Sequence, residues 1–399
     1  MDAGPPIRRI LPILLVLCCV STGVGMVWSV LAIYVDGLGI SMSLVGVMMG
    51  AFAGARLFVN LPASVLAMRF GRRRMMLAGL TLLAASSFAA SSAASPLPLF
   101  LCLLLQGTGS ASFATAALIA VTDRGQLASR VRDMAGFQGA HLLGLTIGPA
   151  IGGLLAARLG YPMTFTAQGL MAIIALAMLH AIGPDPARQN ATARLASTPV
   201  EAENGGSGMI KVAALAALSY AHSYVRIGVN WVLLPLICAK WVGMGIGQVG
   251  VALMVGAIAN LAILPVTARL ALGLGRIPLV TAAGVVVLLG IGVLAQCTSV
   301  AEAWLAASLL GIGSGLAVPT LTAHVADITP PDRTGAAMGL MRTMLDLGMC
   351  SAPLTIGFLT DTPGFGIGGV LLLCAVLLSA SNAAMLAALR RANRRARPA

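Results

Sequence analysis

The sequence predicts an all-α polytopic membrane protein, with twelve transmembrane helices in two pseudo-symmetric six-helix bundles. Three observations lead there. The chain is 58% hydrophobic and 9% charged, with a mean hydropathy of +0.95, far outside the range of a soluble domain. Apolar runs of the ~20 residues that cross a bilayer recur along its whole length. A gapless shift of 204 residues also brings its halves into register. Gly71-Arg72 then falls on Gly275-Arg276, Gly107, Gly109 and Ser110 on Gly311, Gly313 and Ser314, and Val121 and Asp123 on Val325 and Asp327. Met134 meets Met338, and Gly144, Pro149 and Gly153 meet Gly348, Pro353 and Gly357. These matches favour glycines, prolines and loop charges, which set backbone shape, over the apolar residues that any membrane helix supplies. Such self-similarity marks a duplicated unit.

Taken in order, the predicted spans of the first half are 10–36, 42–68, 75–94, 97–121, 134–158 and 162–182. Those of the second half are 210–238, 246–268, 277–297, 302–325, 336–360 and 365–389. The first follows Arg8 and Arg9 as a signal peptide would, but its apolar stretch runs well past a 7–15-residue signal core and is read as a retained span. The long, unalternating runs exclude a barrel and leave helices, which satisfy their own backbone in lipid. The domain boundaries follow: a bundle at 1–182, a linker at 183–209, and a second bundle with a basic tail at 210–399. The linker is rich in Pro, Asn, Ser, Thr, Glu and Gly, a composition that cannot bury a core.

A net charge of +13 in a soluble chain would suggest a nucleic-acid partner. Here twenty of the 25 Lys and Arg fall on one side of the topology, Arg158 and Lys240 on the other, and three inside spans. Basic short loops stay cytoplasmic, so both termini and the linker are expected there. The tail from Arg390 to Arg397 is expected to meet anionic lipid headgroups; no nucleic-acid partner is expected. Seven scattered cysteines in apolar runs read as small hydrophobes. The four histidines are dispersed, and neither a metal site nor a cofactor site can be assembled.

After span 2 the chain reads Ser64-Val-Leu-Ala-Met-Arg-Phe-Gly-Arg-Arg-Arg74. This resembles the loop 2–3 signature of the major facilitator superfamily, with Arg69, Gly71 and Arg72 at signature positions. Ser64 replaces the signature's first Gly and Met68 its Asp, a residue that in the family helps clamp the cytoplasmic side. Gln106-Gly-Thr-Gly109 resembles the span 4 motif, but Leu103 stands where proton-coupled members carry Arg. In span 5, Gly144-x-x-x-Gly148-Pro149-x-x-Gly152-Gly153 resembles the motif of the family's exporters, with Ala135 in place of its first Gly. Glycines four apart permit close helix approach, and Pro149 bends the helix. The resemblance implies a secondary transporter working by alternating access, with the substrate held between duplicated halves near mid-bilayer. It further implies a drug or metabolite exporter, monomeric, in the inner membrane of a bacterium.

Charges inside spans are the sharpest site signal, because each costs ~2.5–3.5 kcal/mol at the bilayer centre. They are Arg56 in span 2, Arg226 in span 7, and Arg342 with Asp346 in span 11. Arg342 and Asp346 are four apart, hence neighbours on one helix face. Arg56 and Arg226 lie too deep to snorkel and have no acidic neighbour in their own spans. A surplus of guanidinium groups favours an anionic, carboxylate-bearing substrate. Asp346 is the expected proton-coupling residue, switching between Arg342 and Arg56, with His141 and His222 behind it. Gln106, Ser110, Gln138, Tyr224, Asn230 and Asn260, the last at the repeat position of Arg56, are further candidate liners. The reading is proton-coupled export of a small amphipathic or anionic molecule. An organic-anion importer or exchanger is the alternative, and a non-transporting receptor or scaffold on the same fold is the alternative of another class. An ATP-driven pump is excluded by the lack of a Gly-Lys-Ser/Thr phosphate loop; Lys211 and Lys240 are the only lysines. A hydrolase is excluded because a lone Asp346 supplies no nucleophile–base pair.

Overall fold

In a computed structural model of the chain, residues 7–37, 39–93, 95–124, 130–182, 206–329 and 334–395 are described. Among them the first half forms α1 (Ile7–Gly37), α2 (Met42–Phe70), α3 (Arg72–Ser91), α4 (Pro96–Arg124), α5 (Arg130–Leu159) and α6 (Tyr161–Ala181). The second half begins with a compound helix, α7. It runs as Gly206–Ile227, widens into a π-turn at Gly228–Leu233 and continues as Leu234–Lys240. Then follow α8 (Ile246–Gly273), α9 (Arg276–Ala295), α10 (Val300–Ile328), α11 (Thr334–Asp361) and α12 (Gly366–Arg395). Eleven of these are long and apolar enough, uninterrupted, to cross a membrane; the twelfth predicted span is the compound α7. The protein is a multi-pass, all-helical integral membrane protein.

The break in α7 has a local cause. Pro235 has no N–H to give the carbonyl one turn back, and its ring crowds that carbonyl. The backbone answers with i→i+5 bonding, seen in the Leu234 N–H reaching the Val229 carbonyl, which is the pattern of a π-turn.

Two compact units are present. The first gathers residues up to Tyr34, Ala51–Ser197 and Gly245–Met254; the second gathers Val35–Gly50, Thr198–Met244 and from Val255 onward. In the first, Leu17 on α1, Leu80 on α3, Phe113 on α4 and Leu179 on α6 share one buried cluster. In the second, α7 packs on α11 and α12, and α9 on α10. Large side chains left bare, such as Phe58 and Leu61 in the first unit and Phe358 and Leu372 in the second, are more than 60% exposed. In a soluble protein they would be a liability; on a membrane protein they are the surface that lipid covers.

The repeat is visible in the helix crossings. A Cβ on Gly109 would lie 2.7 Å from the Gly79 carbonyl, and one on Gly313 would lie 3.0 Å from the carbonyl of Ala283. A Cβ on Gly107 would strike the Phe52 carbonyl, as one on Gly311 would strike that of Gly256. Each contact in the second half is the first-half contact shifted by the same 204 residues. Repeated glycines therefore mark repeated backbone approach, the use that small residues find between membrane helices.

Ends follow the same economy. Gly71 (φ 97°) joins α2 to α3, and its repeat mate Gly275 (φ 82°) precedes α9; this left-handed region is open to glycine at little cost. Ser299 and Glu302 close a capping box on α10, with the Glu302 N–H bonding Ser299 Oγ at 3.3 Å and the Ser299 N–H bonding Glu302 Oε2 at 3.1 Å. Arg276 pairs with Asp327 at 2.6 Å, tying the start of α9 to the end of α10. That pair is partly exposed, so Arg276→Gln should cost no more than about 1 kcal/mol, read as a small shift in detergent-phase thermal unfolding.

Candidate functional site

The site builds outward from α7. His222, Arg226 and Asn230 follow one another at intervals of four, which stacks them on one helix face. Each keeps a buried polar atom without a partner: His222 Nε2, Arg226 Nε and Asn230 Oδ1. His222 is only 3% exposed. Buried polar atoms are ordinarily bonded, so three orphans on one face are a concentration of unused hydrogen-bonding capacity. Other positions of the same helix are engaged with α11. Ser223 Oγ donates to the Leu345 carbonyl at 2.6 Å, Tyr220 meets Ser351 at 3.1 Å, and Tyr224 meets Thr355 at 2.5 Å. α7 is thus clamped by one set of polar groups and carries a second, unspent set.

Charge is uneven here. Arg342 Nε donates to Asp346 Oδ2 at 3.3 Å, the i,i+4 pair that the spacing predicts, with Asp346 buried and Arg342 largely exposed. Arg226 sits on α7, which packs against the α11 that carries Arg342. Among the described residues no carboxylate pairs with Arg226. One negative and two positive charges are therefore carried on these two packed helices of the second unit.

Of the other sequence candidates, Asn260 is also in this unit, where its Nδ2 donates to the Gly311 carbonyl at 3.1 Å. Arg56, Gln138 and His141 belong to the first unit. Arg56 donates to Ser110 Oγ at 2.6 Å and its guanidinium carbon stands 5.8 Å from the Phe52 ring centroid. His141 Nδ1 shares a 2.7 Å hydrogen bond with Ser21 Oγ on α1. Gln138 is exposed, and Gln106 is buried with its Nε2 unpartnered. The seven cysteines are free thiols, all buried or half-buried.

The motif residues divide by role. Gly144, Gly148 and Gly152 run along α5 against α1. A Cβ at Gly144 would stand 2.8 Å from Thr22 N, one at Gly148 2.6 Å from the Thr22 carbonyl, and one at Gly152 2.6 Å from Met26 Cα. In the loop 2–3 cluster, Arg69 is exposed and stacks over Phe70, and Arg72 is half-buried. Arg73, outside the sequence candidates, reaches the Leu179 and His180 carbonyls at 3.4 and 3.3 Å. It caps the negative end of α6. Met68, where the signature has Asp, is 47% exposed.

A further pair of crossings joins helices from different halves of the sequence. Within the first unit, a Cβ on Gly153 of α5 would lie 3.0 Å from Gly250 Cα on α8. Within the second, a Cβ on Gly357 of α11 would lie 3.0 Å from Gly46 Cα on α2. The 204-residue shift carries Gly46 to Gly250 and Gly153 to Gly357, so the two crossings are repeat images. Pro149, two-thirds of the way along α5, presents its carbonyl to Gly250, as Pro353 does to Gly46. Beside the Gly46 crossing, Asp361 accepts from the Met42 N–H at 3.1 Å, the Ser43 N–H at 2.7 Å and Ser43 Oγ at 2.6 Å. Lys240 pairs with Asp36 at 2.7 Å; these two are repeat mates.

Sequence reasoning passed over Asp361 and the buried Asp133 of α5. Both sit at the edge of an apolar run, where a carboxylate reads as a loop residue. The Asp36–Lys240 pair carried a usable signal, opposite charges on one repeat position.

The Major Facilitator Superfamily model matches residues 13–353 and 216–398. An MFS-type transporter of Methanocaldococcus jannaschii is 25% identical over 355 residues, covering 86% of this chain and 88% of that one. A bacterial homologue of the human lysosomal transporter Spinster, solved in an inward-facing and occupied conformation, has a TM-score of 0.79 at 15% identity, covering 97% of this chain and 98% of that one. A peptide transporter, solved as a mutant, has a TM-score of 0.79 at 14% identity, covering 97% and 94%. At these identities the solved structures speak to the fold. With the duplicated six-helix halves and the family model spanning nearly all of the sequence, the chain belongs to the major facilitator superfamily and is a membrane transporter, not an enzyme.

Proposed function

We propose that this transporter carries a small organic anion by alternating access, exporting it in exchange for protons. The observation that supports this reading is Arg226, a guanidinium on a membrane helix with a buried, unpartnered Nε and, among the described residues, no carboxylate partner. A charge so placed is costly unless something compensates it, and a substrate carboxylate binds guanidinium in a planar, bidentate fashion. Arg342 adds field of the same sign. Asp346 holds Arg342 and is the group whose protonation would release that charge, which makes it the proposed coupling residue. Export is favoured by the glycine-and-proline pattern of α5. In this reading the termini face the cytoplasm, and each of the crossings at Gly46 and Gly250 closes on the outer side of its own unit.

The test is flux in vesicles reconstituted with the full chain. With an imposed pH gradient and a trapped pH dye, adding an organic acid should move protons against substrate; proton movement in the substrate's own direction would mean symport and import. Asp346→Asn should abolish gradient-driven accumulation while sparing anion-for-anion exchange. Accumulation with an unaltered pH profile in that variant would remove Asp346 from the coupling step.

A further inference from the structure

The orphaned atoms on α7 differ in kind, and the difference specifies more than charge. Arg226 Nε is a donor and needs an acceptor; Asn230 Oδ1 is an acceptor and needs a donor. Four residues of helix separate them, about 6 Å of rise. An ordinary α-turn would also swing residue 230 about 40° past residue 226. The π-turn at Gly228–Leu233, wider than an α-turn, takes up part of that swing and keeps Asn230 closer to the line of Arg226. Gly228 opens the π-turn, and its bare Cα admits the Ile356 side chain from α11, so the distortion is packed in place. His222 Nε2 completes the row one turn before Arg226.

We propose that α7 carries a linear recognition site for an organic acid that also bears a hydrogen-bond donor about one helical turn from its carboxylate, the acid on Arg226 and the donor on Asn230. This rests on the anion reading of Arg226 and narrows it. The π-turn is then a specificity element: it draws into closer line two polar groups that a regular helix, though placing them on one face, would offset by about 40°. A plain fatty acid fills half of the site and leaves Asn230 Oδ1 unmet, which is how a polar pocket rejects an analogue that lacks the matching group.

Two isosteric acids separate the cases. Glutaramate carries an amide N–H donor at the far end of a four-carbon acid, and 5-oxohexanoate replaces that NH2 with a methyl group and keeps the rest. Titration calorimetry on the purified full chain should show glutaramate binding about tenfold tighter than 5-oxohexanoate, with glutaramate methyl ester not binding. In Asn230→Leu, the affinity for glutaramate should fall to that for 5-oxohexanoate, so that the preference vanishes. Asn230→Ser, smaller and still polar, serves if the leucine variant does not fold, and should reduce the preference at least threefold. Equal affinity for the two acids in the unaltered protein, or a preference that survives both substitutions, overturns the proposal and leaves the anion reading standing. If neither acid binds, or both bind Arg226→Gln as well as the parent, the anion reading falls and takes this proposal with it.

Discussion

Arg226→Gln is expected to lower organic-anion flux by about 100-fold, while Arg226→Lys should retain a measurable part of it. The loss reflects the geometry removed. A bidentate guanidinium–carboxylate contact supplies two charge-assisted hydrogen bonds, each worth ~1.5–3 kcal/mol, and ~3 kcal/mol is about two decades. Glutamine keeps the length and some hydrogen bonding but removes the charge. Lysine keeps the charge and loses the planar fork. The measurement is initial-rate uptake of a labelled monocarboxylate into vesicles, with protein content matched. Because the guanidinium has no carboxylate partner among the described residues, removing it strands no buried anion, and folding should survive. Equal flux in all three proteins would show that Arg226 does not meet the substrate.

The second large effect is expected at the crossing of α2 and α11. A side chain on Gly46 has no room: its Cβ would run into the Pro353 carbonyl and stand 3.2 Å from Gly357 Cα. Gly46→Val must push the helices apart at a cost of about 1–3 kcal/mol, or a ~5–150-fold shift away from the closed crossing. A native reporter sits beside it, since Cys350 Sγ lies 4.0 Å from the Gly50 carbonyl. Maleimide labelling of Cys350, followed by peptide mass mapping, should accelerate at least fivefold in the variant. Cys238 and Cys374, both fully buried elsewhere in the second unit, should label at unchanged rates. An unchanged Cys350 rate would mean that the crossing tolerates the valine and is not a close-packed gate.

Most of the helical frame was legible because lipid imposes one dominant demand, an apolar run of sufficient length. The run at 42–68 became Met42–Phe70, and that at 277–297 became Arg276–Ala295. The repeat also carried contact information: Gly107 and Gly311 were singled out by register, and both prove to be points of backbone approach. What stayed hidden depends on partners distant in sequence. Nothing around Arg56 says that Ser110, 54 residues away, will take its guanidinium, so Arg56 and Arg226 read as equivalent when only one keeps an orphaned buried donor. Asp361 bonds mainly to backbone N–H groups at the start of α2, which carry no side-chain signature. The π-turn needs Pro235 together with the space that Gly228 leaves for Ile356, a combination that hydrophobic periodicity does not report.

Arg226, a guanidinium on α7 with no carboxylate partner among the described residues, is expected to make this transporter select for negative charge. The most direct measurement compares three near-isosteric probes in the same reconstituted vesicles: 3-phenylpropionate, its neutral amide and 3-phenylpropylamine. The acid should be carried, the amide at least tenfold more slowly, and the amine not above the protein-free rate. Transport of the amine at or above the rate of the acid would rule out that selectivity.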